Sequence, residues 1–325
     1  MRPRVPGGSR SACTRRHRRR RRASRSSTEI VGDSPDRRVE ILSDDDALHA
    51  TWSRFGPHRE GADLHVHRHH TDLFYVLEGE LTIRLGPEDA PVAMPTGTLV
   101  RVPPLVVHGF RNGSDADVRY LNLHAPGQGF ADYMRALRDG RTLSYDQHPP
   151  PPDGGRPPTE AVIGGAEVVA DQPGLRVALL ADVEAIGISE TWLDLTSSAP
   201  ESHLHPSHVE SFYVLAGEIA FTVGDREFLA EAGAWVEVPP GVPHALAFPG
   251  ETPVRFLDLH TPSCGFGTFL RALHGASDED ERRAAQAAFD QVALRAKRSG
   301  NHKAAEHAHR GAVAGRGLPA DSRPY

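Results

Sequence analysis

Cysteine is nearly absent from these 325 residues: the only two, Cys13 and Cys264, stand far apart and cannot frame the fold with disulfides. They are expected as free thiols in a reducing cytoplasm. No apolar run reaches the roughly 18 residues a membrane-spanning helix requires, so no membrane span is expected. Acidic residues are missing from the N-terminal stretch. Residues 1–28 hold eleven of the 37 Lys and Arg side chains, all Arg, and no Asp or Glu. That leaves 26 basic against 43 acidic residues elsewhere, a charge of −17 that the overall −6 conceals. An acidic body disfavours nucleic acid as a partner, because phosphate contacts need Lys and Arg on the folded surface. Only the run at 15–22, with His17 in its midst, offers attraction to polyanions. That run has no apolar stretch and is not read as a secretory leader. Residues 1–37 are therefore expected to form a disordered basic tail, either a non-functional extension or an arm for nucleic acid or a membrane surface.

What the chain does contain is one pattern written twice. His65-x-His67-x4-Asp72-x6-Gly79 precedes Gly97-x5-Pro103-x-Leu105-x2-His108, and His203-x-His205-x4-Glu210-x6-Gly217 precedes Gly233-x5-Pro239-x-Gly241-x2-His244. The likeness extends beyond these positions: Phe74-Tyr75-Val76-Leu77 returns as Phe212-Tyr213-Val214-Leu215, and Leu121-Asn122-Leu123-His124 as Leu257-Asp258-Leu259-His260. The repeats run over 38–147 and 161–291, joined by a stiff Pro- and Gly-rich linker at 148–160. Residues 292–325 read as a helix end and a disordered tail.

Short runs rich in Val, Ile, Leu, Phe and Tyr, punctuated by Gly and Pro every 8 to 12 residues or so, predict an all-β sandwich or barrel in each repeat. Helical patterning appears late in each, at 130–138 and 266–273. A third helix is expected from 278 to about 297, with Ser277 as cap, acids first and bases last. In an H-x-H strand both imidazoles lie on one face, since side chains alternate with period two. A carboxylate five residues on and a distant fourth ligand complete a mixed nitrogen and oxygen set suited to a divalent transition metal.

These spacings resemble the two motifs of the cupin superfamily, and their double occurrence resembles a bicupin similar to quercetin-cleaving dioxygenases. Repeat two departs in Ser197 for the leading Gly and Phe248 for the usual Asn; repeat one has Arg59, Asp72 and Leu105 where the family has Gly, Glu and Gly. The resemblance implies two tandem double-stranded β-helix (jelly-roll) barrels with short C-terminal helices. It also implies His203, His205, Glu210 and His244 as metal ligands in repeat two and His65, His67, Asp72 and His108 in repeat one. Fe, Mn, Ni, Co, Cu and Zn suit such a set about equally. Asp72 is one methylene short, and Leu105 resists a left-handed turn, so repeat one is read either as a second metal site or as scaffold.

His69, His70 and His208 are expected in exposed loops, and Trp52, Trp192 and Trp235 in sheet packing. His124 and His260 stand at equivalent strand ends, either hydrogen-bonded at the barrel rim or orienting a substrate. Phe212 and Val214 share the face of Glu210, as Phe74 and Val76 share that of Asp72. These strands lack Lys and Arg near the ligands, which argues against a phosphosugar substrate. The expected function is a metal-dependent dioxygenase, an oxidoreductase for a small apolar or aromatic molecule that chelates the ion, with Glu210 as general base. The alternatives are a non-catalytic ligand-binding bicupin and another reaction, such as decarboxylation or isomerisation. No helix-turn-helix pattern appears, and a monomer is as consistent as a homodimer.

Overall fold

A computed structural model describes residues 28–194, 201–249 and 251–294. The first repeat is built from β1 (Glu29–Ser34), β2 (Arg37–Asp44), β3 (His49–Phe55), β4 (Thr71–Glu78), β5 (Glu80–Leu85), β6 (Ala90–Pro95), β7 (Leu99–Val102), β8 (His108–Arg111) and β9 (Val118–Ala125), followed by α1 (Phe130–Arg138). Next comes β10 (Val162–Ile163). The second repeat comprises β11 (Glu167–Gln172), β12 (Leu175–Val183), β13 (Ile186–Leu193), β14 (His203–Leu204), β15 (Val209–Ala216), β16 (Glu218–Val223), β17 (Arg226–Glu231), β18 (Trp235–Val238), β19 (His244–Ala247) and β20 (Val254–Thr261), then α2 (Phe266–Gly275), α3 (Glu279–Ala288) and β21 (Val292–Ala293). The fold is all-β with short helices.

Each repeat closes two antiparallel layers over its own core. In the first, the sheet β1-β2-β3-β9-β4-β7-β10 faces β6-β5-β8; in the second, β11-β12-β13-β20-β15-β18 faces β17-β16-β19-β14-β21. The inward residues of β4, Phe74 and Val76, join Ile83, Val100 and Tyr120 in one core, and those of β15, Phe212 and Val214, join Phe221 and Phe256 in the other. The opposite faces of the same strands are also apolar. Leu73, Tyr75, Leu121 and Leu123 of the first large sheet pack with Ile188, Tyr213, Leu257 and Leu259 of the second. Period-two alternation thus serves two cores at once, which is why these strands read as nearly unbroken apolar runs. Tyr75 seals the seam by donating to Glu190 (2.8 Å), which also pairs with Arg255 (2.6 Å).

Several expectations require correction. β1 lies inside the segment assigned to the basic tail; its pairing with β2 buries Val31, an apolar signal too short to stand out among polar neighbours. The Pro-rich stretch is not a free spacer. His148 bridges Val66 and Arg156 bridges Val106, so it lies along the first barrel, and β10, within the segment assigned to repeat two, pairs with β7 of repeat one. The third helix stops at Ala288 because Phe289 turns extended and buries its ring with Phe266 and Leu270. Its N-cap is Asp278, accepting from the Glu281 N–H at 2.9 Å, while Ser277 donates to the Glu281 carboxylate. The basic residues expected at its end, Arg295, Lys297 and Arg298, lie outside the described residues. Trp235 is buried and Trp52 packs at the seam, whereas Trp192 is 38% exposed on β13. Among the described residues no helix is long and apolar enough to cross a membrane.

Candidate metal centres

The H-x-H segment of each repeat pairs with the strand that its last histidine opens: His65 bridges His108, and His203 pairs with His244. Asp72 and Glu210 come from the starts of β4 and β15 in the opposite layer. All eight side chains are buried. In each barrel one nitrogen or oxygen from each of the four residues falls within 4.8 Å of the others. Glu210 Oε2 lies 3.1 Å from His205 Nε2 and 2.5 Å from His244 Nε2. Asp72 reaches the same kind of cluster at somewhat longer range, its Oδ2 standing 3.2 Å from His108 Nε2 and 3.5 Å from His67 Nε2. The shorter side chain does not disable repeat one.

Backbone carbonyls fix which ring nitrogen faces inward. Nδ1 of His65 donates to Asp63 O (2.7 Å), of His108 to Val106 O (2.9 Å), of His203 to Glu201 O (2.7 Å), of His205 to Asp290 O (2.7 Å) and of His244 to Val242 O (3.2 Å). His67 does the same with Asp146 O. A neutral imidazole that donates through Nδ1 presents a bare lone pair at Nε2. In repeat one two such lone pairs, on His65 and His67, face each other at 3.2 Å, which is repulsive unless a cation or proton stands between them. In repeat two the buried Nε2 atoms of His205 and His244 crowd Oε2 of Glu210 without the alignment of an ordinary hydrogen bond. Buried polar atoms are seldom left so. Three imidazole nitrogens and one carboxylate oxygen converging in this way fit a divalent transition ion.

The charge balance agrees. Burial, then the neighbouring His244, pushes His203 down to about 4, and burial with His108 and His67 pushes His65 down to about 3, so both rings are neutral and ready to ligate. Burial works against the Glu210 carboxylate, yet the close contacts and charges of His205, His244 and His260 outweigh it and hold Glu210 well below the usual range. Burial also opposes protonation of His205 and His244, and Glu210 overrides it, raising both. Without an ion the site must hold protons that an ion displaces.

Behind each cluster lies a second row of which the sequence singled out only His124 and His260. His70 and His208, expected in exposed loops, are buried; only His69 is exposed. His208 Nδ1 meets Asp290 Oδ2 at 2.9 Å and its Nε2 meets His260 Nδ1 at 2.7 Å; His260 Nε2 then lies 3.2 Å from Asp258. In repeat one His70 bridges Asp146 (3.0 Å) and His124 (3.0 Å), with the Tyr145 hydroxyl 2.8 Å from His124. His124 and His260 each stack on the first aromatic of the following helix, Phe130 and Phe266, at 3.9 and 3.8 Å. A signal existed: Tyr145-Asp146-Gln147 and Phe289-Asp290-Gln291 are a third repeated string.

A cavity opens onto each cluster. That of repeat two, about 550 Å³, is walled by Phe212, Leu246, Phe256, Phe266, Phe269 and Phe289, with no Lys or Arg among its described lining residues. That of repeat one, about 370 Å³, is walled by Phe110, Tyr120, Phe130, Tyr133 and Tyr145 and includes Arg37 and Arg59. β4 lacks Lys and Arg, as the sequence shows, but the lining of repeat one does not. The cations come from β2 and from the loop before the H-x-H segment.

The sequence profile of the cupin domain matches residues 51–124 and 196–260. No curated protein matches the chain in sequence. Among solved structures, an oxalate decarboxylase of Bacillus subtilis is similar at 17% identity over 73% of this chain and 76% of its own, with a TM-score of 0.51. Another from that species, studied for its Mn(II) centres, is similar at 16% identity over 84% and 88%, TM-score 0.51. A formate complex of Lactobacillus farciminis oxalate decarboxylase is similar at 15% identity over 74% and 85%, TM-score 0.51. Likeness at this identity speaks for the fold. Two matched domains on two barrels, each with its ligand cluster in register, place the chain in the cupin superfamily, as a bicupin.

Proposed function

We propose that the C-terminal barrel is the working centre of a metal-dependent dioxygenase for a small aromatic molecule that chelates the ion. The observation that carries this reading is the conjunction of a four-residue ligand cluster with a cavity of about 550 Å³ lined by six phenylalanines and, among its described lining residues, no Lys or Arg. A bound transition ion, held by His203, His205, Glu210 and His244, would supply Lewis acidity and a meeting place for substrate and dioxygen. The chain's own residues do the rest. The phenyl walls hold an aromatic ring and exclude water from it. Glu210 takes the proton of a substrate hydroxyl at Oε1, the oxygen turned away from His205 and His244 and toward His260 at 3.7 Å. The contact between His208 and Asp290 keeps His260 in that orientation. Repeat one is proposed as a second ion site on the strength of its Asp72 geometry.

Decarboxylation of a small acid, the chemistry named for the structural neighbours, is the second reading. Beyond the ion itself, a small carboxylate substrate favours an Arg or Lys beside it, and the described lining of the C-terminal cavity has neither. Oxygen uptake with catechols, flavonols and small organic acids, on protein reconstituted separately with Fe, Mn, Ni and Cu, separates the two. Uptake with an aromatic diol is expected; carbon dioxide release without uptake would replace this reading with decarboxylation, and neither would leave ligand binding as the task. A small-molecule substrate, no nucleic-acid partner and a cytoplasmic location belong to the same proposal.

A further inference from the structure

The two cavities share a plan but not a lining. Arg37 stands across the ladder from Phe55 as Leu175 stands across from Leu193, so Arg37 and Leu175 occupy equivalent places on β2 and β12. Around them Tyr120, Tyr133 and Tyr145 of repeat one replace Phe256, Phe269 and Phe289 of repeat two. At these four positions repeat one is thus cationic and hydroxylic, and repeat two hydrocarbon.

Arg37 is also the arginine of this region without a counter-ion. Arg38 pairs with Glu40 (2.6 Å), Arg59 with Asp36 (2.7 Å) and Arg54 with Asp117 (3.2 Å). Among the described residues no carboxylate lies within ion-pair distance of Arg37, and its Nε is buried without a hydrogen-bond partner. The guanidinium lies against β1 at Gly32, where a Cβ would stand 3.5 Å from its Cζ. Its charge is felt inside the cavity: burial pushes the Tyr120 hydroxyl up, against the Ser53 hydrogen bond and the Arg37 cation. A guanidinium that is partly desolvated and unpaired is costly, and its planar fork matches a carboxylate.

We propose that the cavity of repeat one is a ligand site of a second chemical class, taking a small aromatic carboxylate whose carboxyl group is anchored by Arg37. The contrast with an uncharged ligand in repeat two rests on the function proposed above; the Arg37 anchor does not. Calorimetric titration of the full-length, metal-loaded protein with benzoate, and with benzamide as its uncharged counterpart, tests this. Benzoate is expected to bind at least tenfold tighter than benzamide. Arg37→Leu, which copies repeat two, should weaken benzoate at least tenfold while leaving benzamide within twofold; Arg37→Lys should fall between. Leu175→Arg should add a second benzoate per chain. Unchanged bound metal in each variant certifies the fold. Equal affinity for benzoate and benzamide, or unaltered benzoate affinity in Arg37→Leu, overturns the proposal. Failure of oxygen uptake would sink the dioxygenase reading alone, because the benzoate titration requires no turnover.

Discussion

Glu210 bears the heaviest demands of any residue here, buried among imidazoles and assigned both to an ion and to a proton. Glu210→Gln keeps an oxygen toward the ion but loses the basic oxyanion. Turnover is expected to fall by roughly 10² to 10⁴ with metal still detectable, and unchanged turnover would remove its role as base. His244→Ala, which strips one of three nitrogens, should cost the C-terminal barrel its ion while the N-terminal ion stays, as read by elemental analysis. The protonation state follows a defined sign. His205 and His244 are raised by Glu210, so in the metal-free protein their protonation stabilises the fold below about 6.5 and that contribution is lost as pH rises through their folded values. The ion displaces those protons. The gain in melting temperature on adding metal should therefore grow from pH 6 to pH 8; a gain independent of pH would contradict the assigned ligands. Leu105 holds φ 67°, where Gly241 of the other repeat holds 74°, and both N–H groups donate to the preceding H-x-H segment at 2.7 Å. The left-handed strain of about 1–2 kcal/mol outweighs the entropy cost of a glycine, about 0.5–1 kcal/mol. Leu105→Gly should stabilise the protein by on the order of 0.5 kcal/mol in urea unfolding.

At the scale of strands and helices, the parts visible in the amino-acid string were those whose signal is local. The pattern Phe-Tyr-Val-Leu announces β4 and β15 because every position is apolar, and Phe130 and Phe266 begin helices where expected. His70 and His208 were hidden because their neighbours are polar and the groups that bury them, Asp146 and Asp290, arrive from 76 and 82 residues away. No window along the chain contains that contact. The length of α3 was misjudged for a related reason: acids followed by bases suggested a long dipole-matched helix, but the burial of Phe289 ends it. Arg37 was overlooked because its strand precedes the ligand motif. The seam strands give a direct test. Leu123→Ala or Leu259→Ala deletes a fully buried side chain between the barrels and should cost about 2–5 kcal/mol. Bound metal should remain unchanged, since neither side chain faces a ligand.

Across the whole molecule the doubling of the motif foretold two barrels, and the pairing of their large sheets through one apolar seam is what the structure adds. Reconstituted protein should hold about two ions per chain, against one if Asp72 fails to ligate. Removing residues 1–27 should leave that number unaltered, because every proposed ligand lies downstream. The seam also binds the fates of the two pockets. Leu73 and Tyr75 follow Asp72 on one strand, Tyr213 follows Glu210 on the other, and all three sit in the shared interface. A single chain therefore supplies both receptacles in fixed one-to-one proportion, and parting the halves would lay bare the apolar faces of both.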